Sequence, residues 1–394
     1  MHVLISGASI AGPALAYWLG RHGIDATVVE RAPALRRGGA AVDFRGDVHL
    51  TVLRRMGLLE ELKSLDPGME EMVIVDADGR PVVSLPAHLM SGDVEVERGD
   101  LAEVLYRASR GSAEYVFGDW ITSLTQTADG VDVTFANREP GTYDLVVGAD
   151  GLHSGVRRLA WGPEADYRWD TGYYFATFSA PNNLGLDHSG RLFNVPGKLV
   201  SVGHTDKGSG AMLAFASEPL DYDHRDVEQQ RRIVAERFAG LGWEVPALLD
   251  AARTAPDFYF DSLSQIHLDR WSNGRIALLG DAAWAPSLGG LGNGLAVVGA
   301  YVLAGELAGA TDHSAAFARF EQVMRPYVEG CQKQGRGAGP FLAPPTAAKI
   351  KTRNRAYRML NWRPLAGFFN RMTTKAAAAL DLPEYPVAYE RAAS

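Results

Sequence analysis

The sequence is poor in cysteine, since Cys331 is the only one among 394 residues. One cysteine excludes an internal disulfide framework, a zinc site built from several cysteines and a redox dithiol. Uninterrupted apolar runs of about 18 residues, the length of a membrane-spanning helix, are also missing. We therefore expect a cytoplasmic protein without stable insertion into a membrane.

Positive charge is scarce, with 39 Lys and Arg against 47 Asp and Glu and a formal net charge of −8. This balance argues against nucleic acid as the main partner. The residues from Cys331 onward are an exception, with 11 Lys and Arg against 3 Asp and Glu. They either pack on the acidic remainder of the chain or meet a membrane surface or an acidic partner. The histidines lack the spacing of metal ligands, so no metal site is predicted.

The first thirty residues have the pattern of a nucleotide clamp. An apolar run leads into Gly7-Ala-Ser-Ile-Ala-Gly12, a helix-like stretch and a second apolar run that ends at Glu30. Gly7 permits a sharp turn, and the following helix start offers free N–H groups to a pyrophosphate. Glu30 is placed to bind the hydroxyls of an adenosine ribose. Ser9 replaces the second glycine of the fingerprint, and an ordinary tight turn is the alternative.

Two later turns also follow apolar runs. In Gly148-Ala-Asp-Gly151, Asp150 is either a ligand at the sheet edge or the cap of a helix. In Gly280-Asp-Ala-Ala283, Asp281 is placed to accept from a ribityl hydroxyl. The loop that follows leads into a helix and is rich in glycines, which allow close approach to a ligand. These glycines are Gly289, Gly290, Gly292 and Gly294.

The stretch from Trp161 to about Asp269 differs, because short aromatic-rich strands predict an antiparallel sheet. Val48–Leu62 predicts one helix, and a long helical region begins at Thr346. The fold class is α/β: a Rossmann-like nucleotide-binding domain, an antiparallel-sheet substrate domain and a long C-terminal helix. We expect residues 1–72, 98–160 and 276–330 in the first domain, 73–97 and 161–275 in the second, and 331–394 bridging the two.

Together these motifs resemble class A FAD-dependent aromatic monooxygenases of the para-hydroxybenzoate hydroxylase type, over nearly the whole chain. The length of the chain and its aromatic, basic C-terminal helix look most like those of the tetracycline-modifying branch and related polyketide hydroxylases. Glu97-Arg-Gly-Asp-Leu101 resembles the family's flavin-contacting segment, which implies that Arg98 lies near the ribityl and phosphate groups. Trp284 stands where the family usually has His, which predicts a bulkier flavin edge that cannot titrate.

The resemblance implies FAD as the bound cofactor and NADPH or NADH as a transient co-substrate. It implies hydroxylation of a large planar aromatic or polyketide-like substrate by O2 through a flavin C4a-hydroperoxide. No catalytic side chain is assigned, and we expect a monomer or a homodimer. It also implies a set of cofactor-binding residues: Gly7, Ser9, Ile10, Ala11, Gly12, Glu30, Arg31, Arg37, Asp43, Arg98, Asp150, Asp281, Gly292, Asn293 and Gly294.

We expect the substrate pocket between the flavin loop and the antiparallel sheet. Its candidate lining residues are Phe175, Phe193, Met212, Phe215, Phe260, Pro286, Leu288 and Gly289. For each aromatic residue the alternative is core packing on the other face of the sheet. Arg37 and Arg45 lie either near the flavin or pocket mouth, or on the surface. An apolar pocket with few charges favours a polycyclic phenol over a small benzoate.

Other functions on the same scaffold stay open at this point. A flavin-dependent reductase would use the same cofactor, as would a halogenase, although the Trp-x-Trp-x-Ile-Pro segment usual in the halogenase relatives is missing from the sequence. A non-catalytic flavin-binding protein is a further alternative.

Overall fold

A computed structural model describes residues 1–36, 38–39, 41–86, 92–287, 291–360 and 377–386. Its strands are β1 His2–Ser6, β2 Asp25–Glu30, β3 Ala41–Phe44, β4 Glu71–Val75, β5 Pro81–Pro86, β6 Val94–Glu97, β7 Ala113–Phe117, β8 Ile121–Gln126, β9 Val131–Phe135, β10 Gly141–Tyr143, β11 Leu145–Gly148, β12 Arg168–Ser179, β13 Ser189–Val195, β14 Lys198–Thr205, β15 Gly208–Ala216, β16 Tyr259–Ile266, β17 Ser272–Asn273 and β18 Ile276–Leu278.

Its helices are α1 Ala11–Arg21, α2 Gly46–Arg55, α3 Leu59–Ser64, α4 Arg98–Ser109, α5 Gly155–Ala160, α6 Val227–Phe238, α7 Val245–Thr254, α8 Gly292–Gly309, α9 His313–Gly335, α10 Ala338–Leu342 and α11 Ala347–Leu360. Short 3-10 helices span Glu164–Asp166 and Gly280–Ala282.

A six-stranded sheet with the order β17-β18-β11-β1-β2-β7 is parallel apart from β17. Ser6 lies opposite Gly148, and Gly148 lies opposite Leu278, so β1, β11 and β18 end level with one another. Loops after the carboxyl ends of parallel strands are where such sheets hold their ligands. The three glycine-containing turns noted in the sequence therefore leave one edge of the sheet side by side.

Helix α8 is the most deeply buried of the described helices that pack beside this sheet. It contacts α1, α2 and α9, and its residues from Gly294 to Leu307 are all buried. A helix that is apolar on every side has to lie inside the protein, because no face of it suits water. The start of α8 is therefore held at a fixed place beside the turns that follow β1 and β18.

A seven-stranded sheet with the order β16-β12-β15-β14-β13-β4-β5 forms a second layer, antiparallel except between β13 and β4. One face packs on α6 and α7, with Phe215 and Phe238 fully buried between them. The opposite face meets the C-terminal helices through Ala343 and Tyr357. Smaller sheets are formed by β8-β9-β10 and by β3-β6.

The structure confirms the predicted α/β class, with a parallel sheet, an antiparallel sheet and C-terminal helices. The domain boundaries stay a prediction. The single helix expected over Val48–Leu62 is wrong, because Gly57 adopts φ +73° and ends α2 before α3 begins. Over the described ranges, no helix combines the length and the apolar character needed to cross a bilayer.

Candidate functional site

The turn after β1 has no room for side chains at its two glycines. Gly7 has φ +108°, and a Cβ there would lie 2.5 Å from the carbonyl oxygen of Ala149. A Cβ on Gly12 would lie 1.9 Å from the carbonyl oxygen of Gly7. No side chain caps the first turn of α1, so its N–H groups are available to an anion.

Glu30, at the end of β2, braces the same turn. Its carboxylate accepts hydrogen bonds from the backbone N–H groups of Ala8 and Ala32, each at 2.8 Å. A carboxylate oxygen has a second lone pair, so each oxygen can also accept from a hydroxyl. The ribose contact predicted for Glu30 is compatible with this position and stays a prediction.

Ser9 and Arg98 are brought together although 89 residues separate them. The Arg98 guanidinium donates to the Ser9 hydroxyl at 3.3 Å, which links the start of α4 to the turn after β1. Both side chains are accessible to solvent. A cation and a hydroxyl donor therefore stand beside the uncapped N-terminus of α1, an arrangement suited to phosphate.

Asp150 caps helix α5. Its carboxylate accepts from the N–H groups of Gly155 and Val156 at 2.8 and 3.1 Å and from the Ser154 hydroxyl at 2.5 Å. Burial raises the pKa of Asp150, and these hydrogen bonds act in the opposite direction. Of the two roles expected for Asp150, the structure shows the cap, and a cofactor contact stays a prediction.

Arg157 ties the turn after β11 to the turn after β18. Its fully buried guanidinium donates to the carbonyl of Ala282 at 2.8 Å, to the carbonyl of Leu152 and to Glu164 at 2.8 Å. A buried guanidinium needs such partners to offset its desolvation. The contact holds Asp281 in a fixed relation to Asp150.

Asp281 presents its carboxylate inside a cleft. The side chain is accessible to solvent, yet the surrounding protein raises its pKa by desolvation, and Arg98 acts in the opposite direction. A Cβ on Gly292, the first residue of α8, would lie 3.8 Å from an Asp281 oxygen. No side chain caps the start of α8 either. An exposed carboxylate thus adjoins free backbone N–H groups.

The face of the seven-stranded sheet that meets the C-terminal helices keeps some side chains partly exposed near this cleft. The strand register places Phe175, Met212 and Tyr259 on that face, and all three are at least partly exposed. The rings of Phe175 and Tyr259 lie 5.7 Å apart. Burial and Asp261 raise the pKa of the Tyr259 hydroxyl while Arg98 lowers it, so this face is within electrostatic reach of Arg98.

Comparison with known proteins gives a consistent result. A family described as "FAD binding domain" matches residues 1–171. A flavin-dependent monooxygenase from an unidentified prokaryote is 39% identical over 97% of this chain and 98% of its own length. The chain belongs to the flavin-dependent monooxygenases.

Two further similarities cover most of the chain. An uncharacterised protein of Mycobacterium tuberculosis is 44% identical over 83% of this chain and 90% of its own length. The crystal structure of the tetracycline destructase Tet(55) is 38% identical, with a TM-score of 0.84 over 97% of this chain and 98% of that one. The monooxygenase therefore shares its full-length fold with that destructase.

FAD is the cofactor of this monooxygenase, and the turns fit it. Gly7 and Gly12 lack a Cβ and so allow the cofactor to approach the backbone closely. The uncapped helix starts and Arg98 supply positive charge, and the solvent-accessible carboxylate of Asp281 can accept from a hydroxyl. These are the groups that a pyrophosphate and a ribityl chain require.

Three of the predicted pocket residues are on the wrong face of the sheet. Phe193, Phe215 and Phe260 are buried in the cluster that packs on α6 and α7, away from Phe175 and Met212. Adjacent residues of a strand point to opposite faces, so these rings belong to the core. The alternative of core packing is correct for all three.

The expectation for Trp284 is also wrong. Its side chain is fully buried against Trp271 and Phe320, and a Cβ on Gly299 of α8 would lie 2.9 Å from its ring. Trp284 therefore fills the core between α8 and α9 instead of forming a flavin edge.

The remaining predicted site residues have varied surroundings. Asp43 is buried and its carboxylate pairs with Arg45 at 2.5 Å, so it has a partner within the protein. Gly294 packs against the His49 ring, which would lie 2.1 Å from a Cβ there. The Arg31 guanidinium lies over the Trp120 ring at 4.5 Å. Arg37, Leu288 and Gly289 lie outside the described residues.

Sequence reasoning missed a polar cluster at the boundary between the two large sheets. Buried Asp261 accepts from the Tyr259 hydroxyl at 2.8 Å and contacts His153 at 3.3 Å, and His153 also contacts Glu164 at 3.1 Å. Burial alone would lower the pKa of His153, but the two carboxylates outweigh it and raise the pKa to about 9. An aspartate within the aromatic run Tyr259-Phe-Asp was the available sequence signal.

Proposed function

We propose that this monooxygenase uses NADPH or NADH and O2 to hydroxylate a large planar aromatic or polyketide-like substrate. When bound, FAD carries two electrons from the reduced nicotinamide to O2 and delivers one oxygen atom to the substrate, while the other leaves as water. The full-length similarity to the tetracycline destructase Tet(55) is the observation that carries this choice of substrate class.

The partly exposed residues of this sheet face support the proposal. Phe175 and Met212 offer apolar surface, and Tyr259 adds an aromatic ring with one hydroxyl. Pro286 is buried beside Gly292, the first residue of α8. An apolar wall of this kind suits a planar polycyclic ligand.

The chain's own part in the reaction is to bind, orient and shield. Gly7, Gly12, Arg98 and Asp281 would hold FAD, while Phe175 and Met212 would hold the substrate beside it. Exclusion of water by this apolar wall would direct the oxygen to the substrate. No catalytic side chain is assigned.

The test is an assay of the purified, FAD-loaded protein with tetracycline and with planar polycyclic phenols. We expect oxidation of NADPH or NADH to accelerate with a suitable compound and the product to gain the mass of one oxygen atom. Measuring hydrogen peroxide separates hydroxylation from uncoupled oxidation. The proposal would be contradicted if none of these compounds changed the rate of NADPH or NADH oxidation and no oxygenated product formed.

A further inference from the structure

Two buried glutamine side chains bond to the backbone beside the flavin site. Gln265, near the end of β16, is fully buried, and Gln332 of α9 is 5% exposed. The Gln332 amide donates to the carbonyls of Ile266 at 2.8 Å and Trp284 at 2.5 Å. The Gln265 amide donates to the carbonyls of Pro286 at 3.1 Å and Gln332 at 2.7 Å. Each amide thus uses both of its N–H groups on carbonyls.

The segment they hold has no regular structure of its own. Residues 284–287 follow the 3-10 helix of Asp281, and Ser287 adopts φ +68°, a conformation that costs energy in a residue with a Cβ. Buried backbone outside helices and strands has to find hydrogen-bond donors for its carbonyls among neighbouring groups. The Gln265 amide donates to the carbonyl of Pro286, and the Gln332 amide joins the Ile266 N–H, at 3.4 Å, in donating to the carbonyl of Trp284.

Contacts lead from the amides to the cofactor groups. Gln265 bonds to the carbonyl of Pro286, and the Pro286 ring would lie 3.6 Å from a Cβ on Gly292. Gly292 begins α8, and the same Cβ would lie 3.8 Å from Asp281. A shift of Pro286 would therefore change the spacing between the start of α8 and the Asp281 carboxylate.

The far side of the amide pair reaches the surface. The Gln265 side-chain oxygen contacts His267 Nε2 at 3.1 Å and accepts from Arg336 at 3.5 Å. The Arg336 guanidinium lies over the Trp169 ring at 4.9 Å. The amide nitrogen of glutamine is a donor only, so it faces the carbonyls of Pro286 and Gln332. The side-chain oxygen of Gln265 therefore points toward His267 and Arg336.

We propose that Gln265 and Gln332 are positioning residues for FAD, which set the place of the 284–287 segment and hence the spacing between Asp281 and the start of α8. The proposal rests on the FAD site described above and not on the choice of substrate. Loss of the Gln265 amide removes the side-chain donor to Pro286, and loss of the Gln332 amide removes the shorter of two donors to Trp284, so the segment shifts in either variant.

The test compares Gln265→Met and Gln332→Met with Gln230→Met in the full-length protein stripped of FAD. Gln230 of α6 is the matched control, because it is 3% exposed and its amide donates to the carbonyl of Asp223, which precedes α6, and not to the 284–287 segment. FAD titration gives Kd, urea unfolding of the apo-protein gives stability, and visible circular dichroism reports the setting of the bound flavin.

We expect both test variants to weaken FAD binding about tenfold or more and to change the flavin dichroism, with Gln230→Met within about twofold of the wild type in Kd. Wild-type Kd in either test variant, or an equal loss in Gln230→Met, would overturn the proposal. Failure of the protein to hydroxylate any substrate would leave these measurements unaffected.

If Gln332→Met does not fold, Gln332→Glu decides. A protonated carboxyl at this buried position restores one donor, and burial favours the protonated form. We expect FAD to bind to Gln332→Glu more tightly at acidic than at alkaline pH, relative to the wild type. The same pH dependence as in the wild type would overturn the proposal.

Discussion

The Arg98 guanidinium donates to the Ser9 hydroxyl at 3.3 Å, so the side chain that departs from the glycine fingerprint is held by the cation at the start of α4. Ser9 thereby becomes part of the site without closing it, because both side chains keep their access to solvent. The two residues act on the same region of the cofactor, and their substitutions should have different effects.

We expect Arg98→Met to weaken FAD binding about tenfold or more, equivalent to about 1.4 kcal/mol, because a charge-assisted contact is lost. Ser9→Gly should leave FAD bound, since glycine is the usual residue at this place in the fingerprint. Arg80→Met is a suitable control, because Arg80 pairs with Asp78 in an exposed hairpin. Titration with FAD measures all three, and abolished binding in Ser9→Gly would make the serine hydroxyl a phosphate ligand.

Stability should fall at alkaline pH through His153. Folding raises the pKa of His153 from 6.5 to about 9, so the protonated ring stabilises the folded protein. This contribution is complete at pH values below 6.5 and is lost as the pH rises through about 9. Between about pH 7 and about pH 10 the free energy of unfolding should fall by on the order of 2 kcal/mol more in the wild type than in His153→Gln.

Urea unfolding at several pH values measures this difference, and His313→Gln serves as the control. Burial and Arg275 lower the pKa of His313, at the start of α9. Its substitution should therefore not change how the free energy of unfolding falls at alkaline pH. Parallel pH profiles for the wild type and His153→Gln would contradict the assignment.

Substitutions on opposite faces of the seven-stranded sheet should separate packing from substrate binding. Phe215→Ala should cost about 3–5 kcal/mol of stability, because the ring is fully buried against α6. Phe175→Ala should cost less, because that ring is partly exposed, and it should raise the KM for the aromatic substrate. Unfolding curves and steady-state kinetics give the two quantities, and an unchanged KM in Phe175→Ala would remove it from the pocket.

Trp284→His should be destabilising. The smaller ring leaves a cavity between Trp271 and Phe320, and imidazole buries two polar nitrogens where indole buries one, at a cost of about 3 kcal/mol. We expect the absorption spectrum of bound flavin to stay as in the wild type. A spectral shift without loss of stability would instead place residue 284 at the flavin.

The parallel sheet and its three turns were predictable, because each strand–turn–helix unit has a local signal that does not depend on distant residues. The break at Gly57 was less visible, since the apolar residues of Val48–Leu62 keep helical spacing across it. Helix α7 was missed because Val245–Thr254 is short and carries Pro246 at its start.

The faces of β12 and its neighbours were not predictable from alternation. Tyr173, Tyr174, Phe175 and Phe178 follow one another closely, and both faces of the sheet carry apolar rings, one for the core and one for the cleft. A strand with two apolar faces has no polar face to mark its orientation. Trp284 posed a similar problem, because a motif gives the place of a residue and not the direction of its side chain.

The level ends of β1, β11 and β18 have a consequence for how the cofactor enters. The backbone of the first turn is held by the Glu30 carboxylate, which accepts from the N–H groups of Ala8 and Ala32, and the next two turns are joined by Arg157. The turns that bind FAD are therefore preorganised, and binding does not have to offset the free-energy cost of ordering them. Loading of the cofactor then requires no refolding of the parallel sheet, and an apo-protein released during purification should accept FAD again at once.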